Sequence, residues 1–377
     1  MNPRVTILGA GFAGLELSTR LSQEFGGNID VTLIDKSDSF VFGYAKLEVA
    51  FGREPMESAR LPYAKFTKPG VRFLQEAVTG IDPATRRVMT ASGPIDADYL
   101  VVALGADYDH AATPGLLEGG HDFYSLAGVA RMREALPAFT GGKVVIGVAS
   151  FPYKCPPAPS ECTLMIHDYL VSRGIRDRCE ITLAIPMPVP VPPSPETSKA
   201  LLAEFESRGI RFIGGNGFKS VNAAAHTVTL SDGTELPCDL FLGVPKHRAP
   251  QVLVDSGMVD GAWVKVDARS LETRWPGVYA AGDVADTGGP KAGVFAESAA
   301  RAIADSITAA IRGKAEKGVN AGQGECYIEF GGGRVARVRV DFLSGPKPVG
   351  VYESPTLERR ADKALFGSSR RSRWFGL

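Results

Sequence analysis

The chain has 377 residues, enough for two or three domains with cores of their own. Its 42 Lys and Arg balance 42 Asp and Glu, so no overall charge recommends a nucleic-acid partner. An apolar fraction of 44% with 43 glycines suits an α/β protein rich in tight turns, and no apolar run reaches the length of a membrane span.

The first predicted unit decides the fold class. Residues 5–14 read V-T-I-L-G-A-G-F-A-G, a short β-forming run into Gly9, Gly11 and Gly14. A helical pattern follows at Leu15, Leu17 and Leu21, then a second buried strand over 31–34 that ends at Asp35. Strand, glycine triplet, helix, strand and terminal acid together form a dinucleotide-binding fingerprint. The turn needs Gly9, the pyrophosphate needs Gly11, and helix–sheet packing needs Gly14. The helix start offers amides and a positive dipole end to the phosphates, and Asp35 is placed for ribose hydroxyls. A unit that begins at residue 5 leaves no room for a signal peptide, which predicts a cytoplasmic protein. The five cysteines are then no secreted disulfide frame, and a bridge among them would be catalytic.

Residues 37–53 contain F-V-F-G-Y-A-K and suggest a loop folding over the cofactor rather than a regular element. Strands are predicted at 71–74, 87–90 and 96–104, the last nearly all apolar and ending at Gly105. A helix over 126–136 precedes a strand starting at Lys143. A second nucleotide site would follow here, but the chain reads G-V-A-S-F-P-Y-K-C-P-P-A-P-S-E-C. Prolines 152, 156, 157 and 159 lack the backbone N–H groups that a pyrophosphate requires. The strand over 179–185 ends in Pro186 instead of an acid, and a stiff M-P-V-P-V-P-P-S-P follows. The second half therefore keeps the fold without the dinucleotide. Beyond it come a helix over 196–208 and strands at 211–213, 227–230 and 239–243. The apolar strand in P-G-V-Y-A-A-G-D-V then ends at Gly282 and Asp283. A long helix over 296–311, a polar linker, strands at 326–330 and 334–342 and a basic end complete the chain.

V-T-I-L-G-A-G-F-A-G, L-V-V-A-L-G-A, P-G-V-Y-A-A-G-D-V and P-K-A-G together resemble the FAD-dependent pyridine nucleotide-disulfide oxidoreductase superfamily. F-P-Y-K-C-P-P-A-P-S-E with the late G-E-C-Y is similar to sulfide:quinone oxidoreductases and to the flavoprotein subunit of flavocytochrome c sulfide dehydrogenase. The resemblance covers about residues 1–345. It implies an α/β fold of two Rossmann-like, doubly wound, three-layer domains plus a smaller C-terminal α+β domain. Residues 1–108 and 239–312 would bind FAD, 109–238 would form the second domain, and 313–377 the C-terminal domain and basic tail.

The same resemblance implies FAD held by Gly9, Gly11, Gly14, Asp35, Gly105, Gly282, Asp283 and Lys291. Lys291 would lie near the flavin pyrimidine; a solvated surface lysine is its alternative. A working cysteine pair maps to Cys155 and Cys326, oxidising sulfide or a related thiol or persulfide and passing electrons through FAD to a quinone. Two features of the residues support Cys155 as a thiolate: a helix start just after it and Lys154 beside it. Cys155 with Cys162 is the rival pair, although Cys162, Cys179 and Cys238 suit a core better. Glu161 either moves protons at the sulfurs or caps its helix, and His247 is a weaker candidate. No cysteine precedes Cys155, so FAD is expected to be noncovalent and the sulfur product short. The tail mixes basic residues with Leu365, Phe366, Trp374, Phe375 and Leu377. It would either dock on the inner face of the cell membrane or stay disordered. The remaining alternatives are an NADH-dependent quinone or disulfide reductase, an electron-transfer subunit paired with a cytochrome, and assembly as a homodimer.

Overall fold

The computed structural model describes residues 2–43 and 45–377. Two parallel five-stranded sheets form its frame. The first runs in the order Val278–Ala280, Tyr99–Val102, Arg4–Leu8, Asp30–Asp35, Val71–Gln75. Its central strands are apolar on both faces, as a sheet covered on both sides demands: Val5, Ile7, Leu8, Leu100, Val101 and Val102 are fully buried. One cover is the pair of helices Phe12–Phe25 and Gly293–Ile311, which pack together through Leu15, Leu17 and a run of small residues including Ala299, Ala300 and Ala304.

The second sheet runs His121–Asp122, Leu240–Val244, Gly142–Val148, Cys179–Ala184, Ile210–Ile213, again all parallel. The helix Ala158–Ser172 lies on it. The first nine residues of that helix are all buried, because an antiparallel sheet covers its other side. That sheet comprises Gln323–Glu329, Val335–Asp341 and Val349–Thr356, and its Ile328, Phe330, Ala336 and Val338 share one core with Cys162, Leu164 and Met165.

Three expectations change. The boundary expected at residue 239 is misplaced: Leu240–Val244 pairs with Gly142–Val148 from Val144↔Leu240 to Val148↔Val244, inside the second sheet. Residues 37–53 are not simply a loop, since they hold the strand Ser39–Val41 and the helix Ala45–Ala50; Tyr44 of that stretch lies outside the described residues. The tail is neither disordered nor free for docking along its length. It forms the helix Arg359–Arg370 and a final turn Arg371–Phe375, in which Trp374 and Phe375 are buried.

Candidate active site

The glycine turn sits between the ends of three strands. Gly9 donates its N–H to the Ile34 carbonyl at 2.7 Å and has φ of +99°. A Cβ there would lie 2.3 Å from the Ala103 carbonyl oxygen, and one at Gly14 would lie 2.0 Å from that of Gly9, so both positions exclude a side chain. Gly11 has nothing within 4 Å of where its Cβ would be, which leaves open space at the helix start. The helix beginning at Phe12 carries no side-chain cap. Open space at an uncapped helix start is what a pyrophosphate needs. Asp35 accepts the Ala10 N–H at 2.8 Å and the Ser37 N–H at 2.9 Å, fixing the acid beside the turn. Gly105 follows the strand Tyr99–Val102, and Gly282 follows Val278–Ala280 with its Cβ position 3.4 Å from Ala296. These residues fit FAD.

Cys155 adopts φ of +49°, rare for any residue but glycine. Three contacts hold it there. Its N–H donates to the Lys291 carbonyl at 2.8 Å, and its own carbonyl accepts from Ala158 N–H at 2.9 Å and the Tyr124 hydroxyl at 3.2 Å. Cys326 arrives from the antiparallel sheet, opposite Val338. Both thiols are half-buried and free. Burial raises the pKa of Cys155 well above the ordinary value, and the charges of Glu161 and Cys326 add to this. Burial pushes Cys326 up to about 12, again with Glu161 contributing. The expected support for a Cys155 thiolate is therefore not found, and burial favours the neutral thiol. The helix begins only at Ala158, and the Lys154 ammonium points elsewhere, to the Ala106 carbonyl at 3.1 Å and over the Tyr108 ring at 4.1 Å.

Glu161 is buried within the helix. Its Oε1 accepts the Glu329 N–H at 3.0 Å, so it ties helix to strand and does not cap its own helix. Burial pushes it up to about 7, against the pull of Lys363. Cys162, Cys179 and Cys238 are core residues, and burial pushes the Cys238 thiol up to about 12.

Three lysines from separate segments, Lys46, Lys154 and Lys291, converge on Asp283 and His247. Lys291 is buried, bonds the Asp283 carbonyl and lies 3.6 Å above the Trp263 ring, so it is no surface lysine. Burial pulls it down to about 8. Lys46 bonds the Tyr124 carbonyl. Burial raises Asp283, opposed by Lys154, Lys291 and Lys46. His247 does reach this cluster. Its Nδ1 lies 2.9 Å from the Pro245 carbonyl, its Nε2 accepts the Lys154 N–H at 3.4 Å, and burial with the same lysines brings it down to about 3. It is neutral at physiological pH. Sequence reasoning overlooked Lys46 and Tyr124, which carry no motif and lie about 110 and 30 residues from Cys155 along the chain.

The model of the family described as pyridine nucleotide-disulphide oxidoreductase matches residues 3–150 and 157–310. The chain belongs to that family. This oxidoreductase is accordingly an FAD-binding flavoprotein. The family match leaves out residues 151–156, which include Cys155, and the segment carrying Cys326. The oxidoreductase is 24% identical to a mitochondrial sulfide:quinone oxidoreductase of Mus musculus over 74% of its own length and 65% of that protein, so it spans just under two thirds of that relative. It is 25% identical to a sulfide-quinone reductase of Aquifex aeolicus, over 88% of its length and 82% of the relative. Among solved structures, the sulfide:quinone oxidoreductase of Aquifex aeolicus superposes with a TM-score of 0.88 at 22% identity, covering 100% of this chain and 93% of that one.

At the carboxyl ends of the second sheet, on the side where a second dinucleotide would lie, the backbone of neighbouring segments packs closely. Gly215 N–H donates to the Met187 carbonyl at 2.8 Å and Asn216 N–H to that of Ile185 at 2.9 Å. A Cβ at Gly214 would lie 2.4 Å from the Pro188 carbonyl oxygen, and one at Gly217 2.5 Å from that of Val148. Residues 214–217 thus close over the proline-rich segment.

Proposed function

We propose that this protein oxidises sulfide, or a related thiol or persulfide, at Cys155 and Cys326 and delivers the electron pair through FAD to a quinone. The observation that carries this is the meeting of two thiols and a carboxyl with a raised pKa, from three elements, beside a cluster of three lysines. Prolines 152, 156, 157 and 159 in place of a second glycine turn support sulfur over nicotinamide as the donor. The quinone is carried over from the names of the Mus musculus and Aquifex aeolicus relatives.

The two thiols are free here; once they have given two electrons to FAD and two protons away to become a Cys155–Cys326 disulfide, HS⁻ opens the bond between them. A new S–S bond forms to one cysteine, and the other leaves as thiolate with the bonding pair. The persulfide proton passes to Glu161. Noncovalent FAD, once bound, supplies the acceptor for the pair. Lys46 favours anionic sulfur at Cys155, and Lys291 beside Asp283 would supply positive charge for a reduced cofactor. The backbone of Cys155, pinned by Lys291 and Tyr124, keeps the thiol in place between turnovers.

The experiment is anaerobic mixing of the FAD-loaded protein with sulfide or with NADH, followed by flavin absorbance. Sulfide is expected to bleach the flavin, and Cys155→Ser and Cys326→Ser to abolish the bleaching while FAD stays bound. Full bleaching in both variants, or faster bleaching by NADH, overturns the proposal.

Docking at a membrane surface is a further part of this proposal. No helix of the described residues is long and apolar enough to cross a membrane. With Trp374 buried, contact would fall to exposed Leu357, Leu365, Val349 and Val351 around the antiparallel sheet and the tail helix. Leu365→Asp with Leu357→Asp should reduce flotation with anionic vesicles; unchanged flotation counts against these contacts.

A further inference from the structure

Three carboxylates on three separate elements surround one buried ammonium beside the sulfurs. Lys363, from the helix Arg359–Arg370, lies 2.7 Å from Glu329 Oε1 on the antiparallel sheet and 3.3 Å from Glu48 Oε1 on the helix Ala45–Ala50. Glu329 in turn gives its backbone N–H to Glu161 at 3.0 Å. Lys363 is the largest favourable charge that Glu161 feels. The side chains of Lys363 and Glu329 are only 12% and 6% exposed. Arg53 also reaches Glu48, at 3.5 Å, at the rim.

We propose that Lys363, held in place by Glu329 and Glu48, is the positioning residue for Glu161, and that its charge sets how readily Glu161 accepts a proton from the sulfurs when sulfur is oxidised. A buried ammonium favours the charged form of a carboxyl beside it, so losing that ammonium raises the carboxyl's affinity for a proton. Glu161 feels the charges of Lys363, Glu329 and Glu48, and its own charge is felt at Cys155, Cys162, Cys326 and Tyr124, so it joins the charged groups to the sulfurs. The step is a proton transfer only. A proton leaves a thiol or persulfide sulfur, adds to a Glu161 oxygen, and is later lost to water through the cluster. The tail helix thereby enters the chemistry without touching substrate.

This inference rests on the sulfide proposal for its purpose but not for its test. In the FAD-loaded full chain, the carboxylic-acid C=O infrared band that disappears in Glu161→Gln should titrate near pH 7. In Lys363→Met its midpoint should rise by about one pH unit or more, and Lys363→Arg should restore it. An unmoved midpoint in Lys363→Met overturns the inference. Should that variant not fold, Glu48→Gln replaces it. Removing one carboxylate should lower the midpoint, and no change again overturns the inference. In sulfide-dependent flavin reduction the acid limb should move with the band and be absent in Glu161→Gln. A moving band without sulfide-dependent reduction supports the cluster and defeats the sulfide proposal. Sulfide-dependent reduction with an unmoved band defeats the cluster alone.

Discussion

At the scale of single residues, Glu161 carries a testable stability cost. Its ordinary value is 4.5 and the folded protein holds it up to about 7. Between those values the folded chain binds more protons than the unfolded one. The stability linked to this carboxyl is therefore complete below about pH 4.5 and is lost as pH rises through 7. Glu161→Gln should gain up to roughly 3 kcal/mol over the parent at pH 8, and little at pH 5, when both are unfolded in urea. The same variant should slow sulfide-dependent flavin reduction by about a hundredfold or more, the scale of a lost proton acceptor. His247 behaves differently. Buried among lysines and held down to about 3, it should contribute no limb to the pH profile above about pH 4. A limb near 6.5 that disappears in His247→Asn would show this to be wrong.

At the scale of elements, the tail is a clamp on the cofactor domain. Trp374 is fully buried and meets Phe12 and Phe40 edge-on at 5.6 Å each. Its indole N–H donates at 3.0 Å to Glu16, and Arg373 reaches the same carboxylate at 2.8 Å. Burial alone would raise Glu16, but Arg373, Trp374 and Arg301 outweigh it and hold the carboxyl below its ordinary range. Phe12 opens the helix that begins at the glycine turn, so the clamp acts on the cradle itself. Trp374→Ala should cost about 3–5 kcal/mol and speed the loss of FAD on gel filtration. Unchanged flavin retention with the full stability loss would limit the clamp to folding. This element was invisible in sequence because R-R-S-R-W-F looks like surface. Its arginines face acids far back along the chain, Glu16 in the first helix, 357 residues before Arg373, and Glu297 in the long one, 73 before Arg370.

At the scale of the whole molecule, three units meet at one place. The first sheet brings the glycine turn and Asp283, the second brings Cys155 and Glu161, and the antiparallel sheet brings Cys326 and Glu329. Cutting the chain before the antiparallel sheet should remove Cys326 and Lys363 together, uncover the helix Ala158–Ser172, and leave a protein that sulfide cannot reduce. Sulfide-dependent bleaching in such a fragment would show that Cys155 works without its partner.

The glycine turn, the parallel sheets and the proline-filled second turn were legible in the residues alone. Each depends on contacts within a short stretch or on a two- or three-residue rhythm: glycines where a Cβ strikes backbone, apolar runs where a strand is covered on both faces, prolines where amides are missing. What surrounds the thiols was not legible in that way. The charge state of Cys155, the pairing of Leu240–Val244 with the second sheet, the lysine cluster and the tail's return to Glu16 all depend on residues distant in sequence. Burial and long-range charge set those properties, and neither exists until the chain has closed on itself.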